Sequence, residues 1–321
     1  MSSKYNNPKF WVAEQIGFDN WPKPKEPIKN TGDKPLAVVY QTWSTEAYLP
    51  YMYHSILSQL MYTDILEKCD VYIFVDEERY EYTSWLFKDL IDSSSIIKVS
   101  RMMAVKYMVT CHPVLHKYKA VSVCDSDMFF YSESKLDFYQ KIEDKFETSN
   151  DILMIEDNLP AKKIFWERHR DLNNRVKAED YLDFFVENTG IYKEQLEDWI
   201  NSNPWYLSPL FVYNPKTYIN PRYYKYAINC AYNEFYCDET VWMVWAKARM
   251  IDFKPVHKEI KDTDVVVDFV HTKLKDYLKY RVDNNLGLTL IHPLCGDQRI
   301  NPVCAELLFK IQKDFRVYSL S

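Results

Sequence analysis

From Leu36 onward the chain alternates between short apolar runs and longer stretches of helical period. "LAVVYQTW", starting at Leu36, is a β-branched and aromatic run that predicts a buried strand. In "YHSILSQLMYTDILEK", Leu57, Leu60, Met61 and Ile65 share one helical stripe. The alternation continues through "DVYIFVDE" (strand), "YTSWLFKDLIDSS" (helix), "SIIKVS" (strand), "MAVKYMVTCHPVLHKY" (helical, with a break near Pro113) and "AVSVCDSDMFF" (strand). This alternation predicts βα units, an α/β fold and a mostly parallel central sheet flanked by helices. Three strands end in polar groups: Gln41 and Thr42, Asp76 and Glu77, Asp125 and Asp127. Ligands of open α/β sheets sit outside the carboxyl ends of the strands, so these groups are expected to converge at one edge.

The second half is less regular. "DILMIED" and "YLSPLFVYNP" read as strands, and residues 160–202 as polar and mostly helical. "CDETVWMVWAKARM" reads as a helix whose acidic start suits its dipole. "MIDFKPVH", "DVVVDFVHT" and "LTLIHPLCGD" are further strands, each bounded by His or Pro. Residues 1–35 carry Trp11, Trp21 and a proline-rich segment that excludes regular structure. They are expected to form an arm lying over a single domain of residues 36–321.

Composition narrows the chemistry. The 5 glycines are far apart, so neither a G-x-G-x-x-G fingerprint nor a P-loop is present. A phosphate must then be held by a metal, Lys or Arg. The net charge of −6, without a long basic run, argues against a nucleic-acid partner. The 7 cysteines form no C-x-x-C pair, which reads as reduced thiols rather than a disulfide framework or zinc site. No apolar leader opens the chain and no stretch approaches the ~18 apolar residues of a membrane span. The expectation is a soluble, cytoplasmic protein with no integral membrane segment.

Asp125 and Asp127 stand one residue apart where an apolar run ends. Burying unpaired carboxylates is costly, so a positive partner is expected there. Residues i and i+2 of a strand share a face, which would present both carboxylates side by side. Hard oxygen ligands suit Mn²⁺ or Mg²⁺, which bind one or two carboxylates together with substrate phosphates. A solvated strand-to-turn junction is the plain alternative.

With its D-x-D at the fourth strand of a βα series, the chain resembles the nucleotide-sugar-dependent glycosyltransferases of the GT-A fold. The match covers residues 36–130 well and 205–300 loosely. The resemblance implies a nucleotide-sugar-binding half over 36–135 and an acceptor half over 136–321. It implies a sugar transferred from a UDP- or GDP-linked donor to a hydroxyl acceptor such as a glycan, by a hexosyl- or pentosyltransferase. Asp125 resembles the ribose and metal contact, and Asp127 the main metal ligand. Lys106, taken as an exposed residue opening the helix before this strand, would face the donor. Gln41, Thr42 and Asp76 resemble contacts to the nucleobase. Asp238, and after it Glu239, resemble the acidic pair that guides an acceptor hydroxyl; Asp238 equally suits a helix N-cap. Ser208-Pro209 stands where many relatives have Asn-x-Gly. A late His often closes the metal shell in that fold. His292, with Gly296 and Arg299 after it, is favoured over His271, and an imidazole ligand favours Mn²⁺ over Mg²⁺.

Other readings have their own residues. A haloacid-dehalogenase-type phosphohydrolase would make Asp125 a nucleophile, but that motif normally follows a first strand. A non-catalytic nucleotide-sugar-binding module would need no acidic helix start. The aromatics at Trp242/Trp245 and Tyr223/Tyr224/Tyr226 read as packing, and "ERHRDLNNR" as a solvated helix face.

Overall fold

The structure is a computed structural model. It describes residues 20–42, 48–160, 178–233, 238–267, 274–284, 286–292 and 302–319. Among these, a seven-stranded sheet has the order β3-β2-β1-β4-β7-β6-β8 and a three-stranded sheet the order β5-β10-β9. The strands are β1 (Leu36–Thr42), β2 (Cys69–Asp76), β3 (Ile96–Val99), β4 (Ala120–Cys124), β5 (Phe129–Tyr131), β6 (Ile152–Pro160), β7 (Pro204–Tyr213), β8 (Phe253–Pro255), β9 (Thr263–Val267) and β10 (Leu288–His292). In the large sheet only β7 runs against its neighbours. The longer helices are α1 (Leu49–Tyr62), α2 (Tyr80–Phe87), α3 (Phe138–Thr148), α4 (Ala178–Thr189), α5 (Lys193–Ser202), α6 (Pro221–Tyr232), α7 (Asp238–Ala248), α8 (Leu274–Asp283) and α9 (Pro302–Tyr318). No helix among the described residues is long and apolar enough to cross a membrane.

The central parallel strands β1, β2 and β4 are apolar on both faces because both faces are covered. Every residue of β2 is buried. Its one charge near the start, Asp70, accepts from the backbone N–H of Thr31 (3.0 Å) and Gly32 (2.9 Å) and from the Tyr118 hydroxyl (2.7 Å). Gly32, at φ +81°, lets the chain turn tightly onto that carboxylate before entering β1. Upstream, Trp21 is buried against Tyr53 and His54. Trp11 lies outside the described residues.

Register brings the strand ends together. Thr42 pairs with Val75, one residue before Asp76, and Val39 pairs with Val123. Two residues further along that second pairing, Gln41 draws level with Asp125.

Three local expectations change. The stretch from Met103 to Tyr118 holds only one helical turn, Lys106–Val109, and a 3-10 turn, Pro113–Leu115. Pro113 has no N–H to give a helix and disfavours helical backbone at His112. "AVSVCDSDMFF" is two strands, β4 and β5, in different sheets, with the D-x-D in the turn between them. The first helix is buried all round rather than along one stripe. It packs against β5 and α9, and Ser55 and Gln59 bond the Tyr40 hydroxyl of β1 in the central sheet.

That complete burial includes His54. Its Nδ1–H donates to the Pro50 carbonyl (2.7 Å), so Nε2 faces the Gln312 amide of α9 (2.9 Å) as an acceptor. Burial holds the imidazole neutral and pushes its pKa down from 6.5 to about 4. Between these values the unfolded chain binds a proton that the folded chain refuses. Stability therefore falls as pH drops from 6.5 toward 4, by up to about 3 kcal/mol from this residue. In urea unfolding at pH 7 and pH 4.5, His54→Gln should show a smaller difference than the wild type.

Candidate active site

The turn after β4 is fixed from three directions. Asp125 N–H donates to the Pro209 carbonyl of β7 (2.8 Å), and Met128 N–H to the Asp125 carbonyl (3.2 Å). From α1, the Ser55 hydroxyl donates to the Met128 carbonyl, and the Ser58 hydroxyl accepts from Phe130 N–H (3.0 Å). Sequence reasoning missed both serines. Their signal was polar side chains within a helix otherwise apolar enough to bury entirely. The two carboxylates thus converge through a pinned turn, not through the alternation of a strand.

His292 arrives through strand pairing. Residues Thr289, Leu290 and Ile291 of β10 pair with Tyr131, Phe130 and Phe129, so the next residue, His292, lies opposite Met128. On its other side His292 pairs with Val267 of β9. The loop entering β10 approaches another chain segment closely: a Cβ on Gly287 would lie 2.1 Å from the Asp262 carbonyl oxygen. The buried Arg281 guanidinium secures that loop by donating to the Gly287 carbonyl (2.6 Å). His292 Nε2 then lies 3.3 Å from Asp127 Oδ1 and 3.9 Å from Asp125 Oδ2. One ligand atom from each of the three residues fits within a 4.8 Å group. Two carboxylates and an imidazole are an acceptable donor set for Mn²⁺, and His292 Nδ1 is buried without a hydrogen-bond partner among the described residues. His271, Gly296 and Arg299 lie outside the described residues.

Lys106 is buried, not exposed as a residue opening a helix was expected to be. Its ammonium donates to Asp125 Oδ1, to the Ser208 carbonyl (2.5 Å) and to the Ser208 hydroxyl (3.2 Å). It also lies 5.5 Å from the centre of the Trp242 ring. Ser208, singled out in the sequence as a departure from Asn-x-Gly, thus belongs to the lysine's surroundings. Asp238 and Glu239 at the start of α7, both half-buried, lie near enough to Lys106 to favour its charged form.

These charges govern one another. Burial pushes the Asp125 carboxyl up and Asp127 adds to the rise, against Lys106 and His292. Burial also disfavours the Asp127 anion, but the His292 charge and hydrogen bond outweigh it and hold that carboxyl below its ordinary value. The His292 imidazole is raised, since Asp127 and then Asp125 overcome its burial. Burial, reinforced by Glu239 and Asp125, pushes Asp238 up to about 8 against the pull of Lys106.

The remaining strand-end residues lie at the same edge. Among the described residues, Gln41 Oε1 and Thr42 Oγ1 are buried without hydrogen-bond partners, a costly state for acceptors that bind nothing. Asp76 is engaged within its own turn. Arg79 Nη1 donates to both its oxygens (2.9 and 2.8 Å), and Glu78 N–H donates to one of them (3.2 Å). A cavity of about 670 Å³ lies elsewhere, between the Pro24–Lys29 segment, Leu60 and Phe315, by the start of β1.

No family model matches the sequence, and no curated protein matches it. Solved structures do match. The WbbM bifunctional glycosyltransferase in its apo form aligns with a TM-score of 0.50 at 12% identity, over 92% of this chain and 53% of that one. The fold is GT-A-like. At that identity the shared property is the fold, and this chain spans about half of the bifunctional enzyme's length. Mouse xyloside xylosyltransferase 1, apo form, aligns at TM-score 0.44 and 11% identity, over 82% of this chain and 98% of that one. Core-mannan synthase A from Aspergillus fumigatus, in a Mn/GDP form, aligns at TM-score 0.38 and 11% identity, over 75% and 78%.

Within this GT-A-like frame, aromatic packing positions the acidic start of α7. Trp242 stacks on Phe211 of β7 (centroids 3.9 Å apart, 7° between planes), and its indole N–H donates to the Tyr223 hydroxyl (3.1 Å). Tyr223 in turn donates to the Tyr107 carbonyl (3.0 Å), beside Lys106. Trp242, Trp245, Tyr223 and Tyr226 are core residues, whereas Tyr224 is exposed. Trp242→Ala should lower stability by about 3–5 kcal/mol in urea unfolding.

Proposed function

We propose that this protein is a metal-dependent glycosyltransferase. It moves a sugar from a nucleoside-diphosphate sugar, UDP- or GDP-linked, to a hydroxyl of an acceptor, a glycan. The observation that carries this reading is the convergence of Asp125, Asp127 and His292 at the carboxyl edge of the strands of a GT-A-like fold. A phosphohydrolase with Asp125 as nucleophile is not favoured, because the pair follows the fourth strand of such a fold and Lys106 binds one Asp125 oxygen.

In this reading Asp125, Asp127 and His292 would hold a divalent ion, Mn²⁺ in preference to Mg²⁺, which supplies positive charge to the leaving diphosphate. Gln41 and Thr42 offer buried acceptors to the nucleobase or ribose, and Asp76 lies next to them. Asp238 takes the proton of the acceptor hydroxyl as the glycosidic bond breaks. A carboxyl raised toward 8 is a stronger base, when ionised, than an ordinary one. Glu239 is the second choice for that role.

Purified protein incubated with Mn²⁺ and a panel of nucleotide sugars should release nucleoside diphosphate. Asp127→Asn should abolish that release while circular dichroism shows the fold retained; wild-type turnover in the variant would refute the reading. His292→Ala should raise the Mn²⁺ concentration for half-maximal activity by about tenfold or more. Asp238→Asn should lower kcat by at least about a hundredfold while donor affinity stays close to wild type.

A further inference from the structure

Lys106 stands where a metal centre has least use for a cation. Its side chain is almost wholly enclosed, at 3% exposure, and its ammonium has Asp125 Oδ1, Ser208 O and Ser208 Oγ as acceptors. Swinging away would strip a buried charge of these bonds, and Trp242 walls it on one side. The neighbouring backbone is held as well, through the Tyr223 hydroxyl on the Tyr107 carbonyl.

The effect on Asp125 is to divide its carboxylate. Oδ1 turns inward to Lys106, while Oδ2 faces His292 Nε2 at 3.9 Å. Oδ2 is the oxygen turned toward His292, and one of the two carboxylate charges is already offset by the lysine. An arriving dication meets a fixed positive charge across a single carboxylate, in surroundings drier than water. At an effective dielectric constant of about 20, charges at such separations interact strongly enough to change affinity by at least tenfold.

We propose that Lys106 is a built-in counter-cation that keeps the free protein's affinity for the divalent ion low, so that firm binding requires the negative charge of the donor diphosphate. Metal uptake is thereby tied to substrate uptake. Lys106 is a positioning residue that acts through Asp125. The proposal rests on the reading that Asp125, Asp127 and His292 hold the ion.

The test is a Mn²⁺ titration of the full chain at constant ionic strength, following the electron paramagnetic resonance signal of free Mn²⁺, alone and with UDP or GDP. Lys106→Met removes the charge. Lys106→Gln removes it but keeps a donor for Asp125 and Ser208, which preserves the local structure if the Met variant fails to fold. Either folded variant should bind Mn²⁺ alone about tenfold or more tightly than the wild type, and gain less from added nucleotide. A merely structural lysine would give the opposite, since damage to the site weakens metal binding. Unchanged or weaker Mn²⁺ binding in a folded variant, with the wild type binding Mn²⁺ in the presence of nucleotide, overturns this inference alone. No Mn²⁺ uptake by the wild type with either nucleotide overturns the metal-site reading beneath it.

Discussion

Two carboxylates held close together in a partly dry place repel each other, and their surroundings must answer that repulsion for the fold to close around them. Lys106 meets Asp125 from one side and His292 meets Asp127 from the other. Neither partner is local to the turn. The lysine comes from the connection between β3 and β4, and the histidine from the far end of β10. Each is fixed by contacts to further strands, the lysine by Ser208 of β7 and the histidine by pairing with β5 and β9. The charge balance of four residues thus ties together the parallel strands, the reversed strand and the small sheet.

Helix α1 supplies the stiffness behind this arrangement. Because it is buried on every side, its polar residues must all find partners inside the protein. Ser55 and Ser58 bond the backbone just after the D-x-D. Gln59 bonds the Tyr40 hydroxyl of β1 and accepts from the Tyr139 hydroxyl of α3. His54 reaches α9. Each polar group that would be a liability in an apolar core here fixes one neighbouring element relative to the turn. The aromatic wall of Phe211, Trp242 and Tyr223 performs the corresponding task for α7, by ring stacking together with the indole-to-hydroxyl hydrogen bond.

The parallel strands decide where chemistry is available. Their shared direction puts Gln41, Thr42, Asp76 and Asp125 at one edge, while the register sets their spacing. Some of these groups are satisfied within the protein, as Asp76 is by Arg79. Others, such as Gln41 Oε1 and Thr42 Oγ1, are buried without partners among the described residues. Each hydrogen bond made to such a group would relieve an acceptor already withdrawn from water.

The sequence by itself determined the βα alternation, the mostly parallel sheet and the strand ends that converge, because strands buried on both faces read as continuous apolar runs. It also marked Asp125 and Asp127, since paired charges at the close of such a run are conspicuous. Trp242 and Trp245 were legible as core from their type and spacing. What only the tertiary structure decided depends on contacts distant in sequence. The D-x-D lies in a turn because Phe129–Tyr131 leaves the central sheet to pair with Leu288–His292, far along the chain. Lys106 is enclosed because Ser208 and Trp242, a hundred or more residues away, close over it. His292 reaches the carboxylates because strand pairing sets it opposite Met128. Local periodicity records which face of an element is apolar; it carries no record of which distant element will cover that face, and the charge balance of this site is made of such encounters.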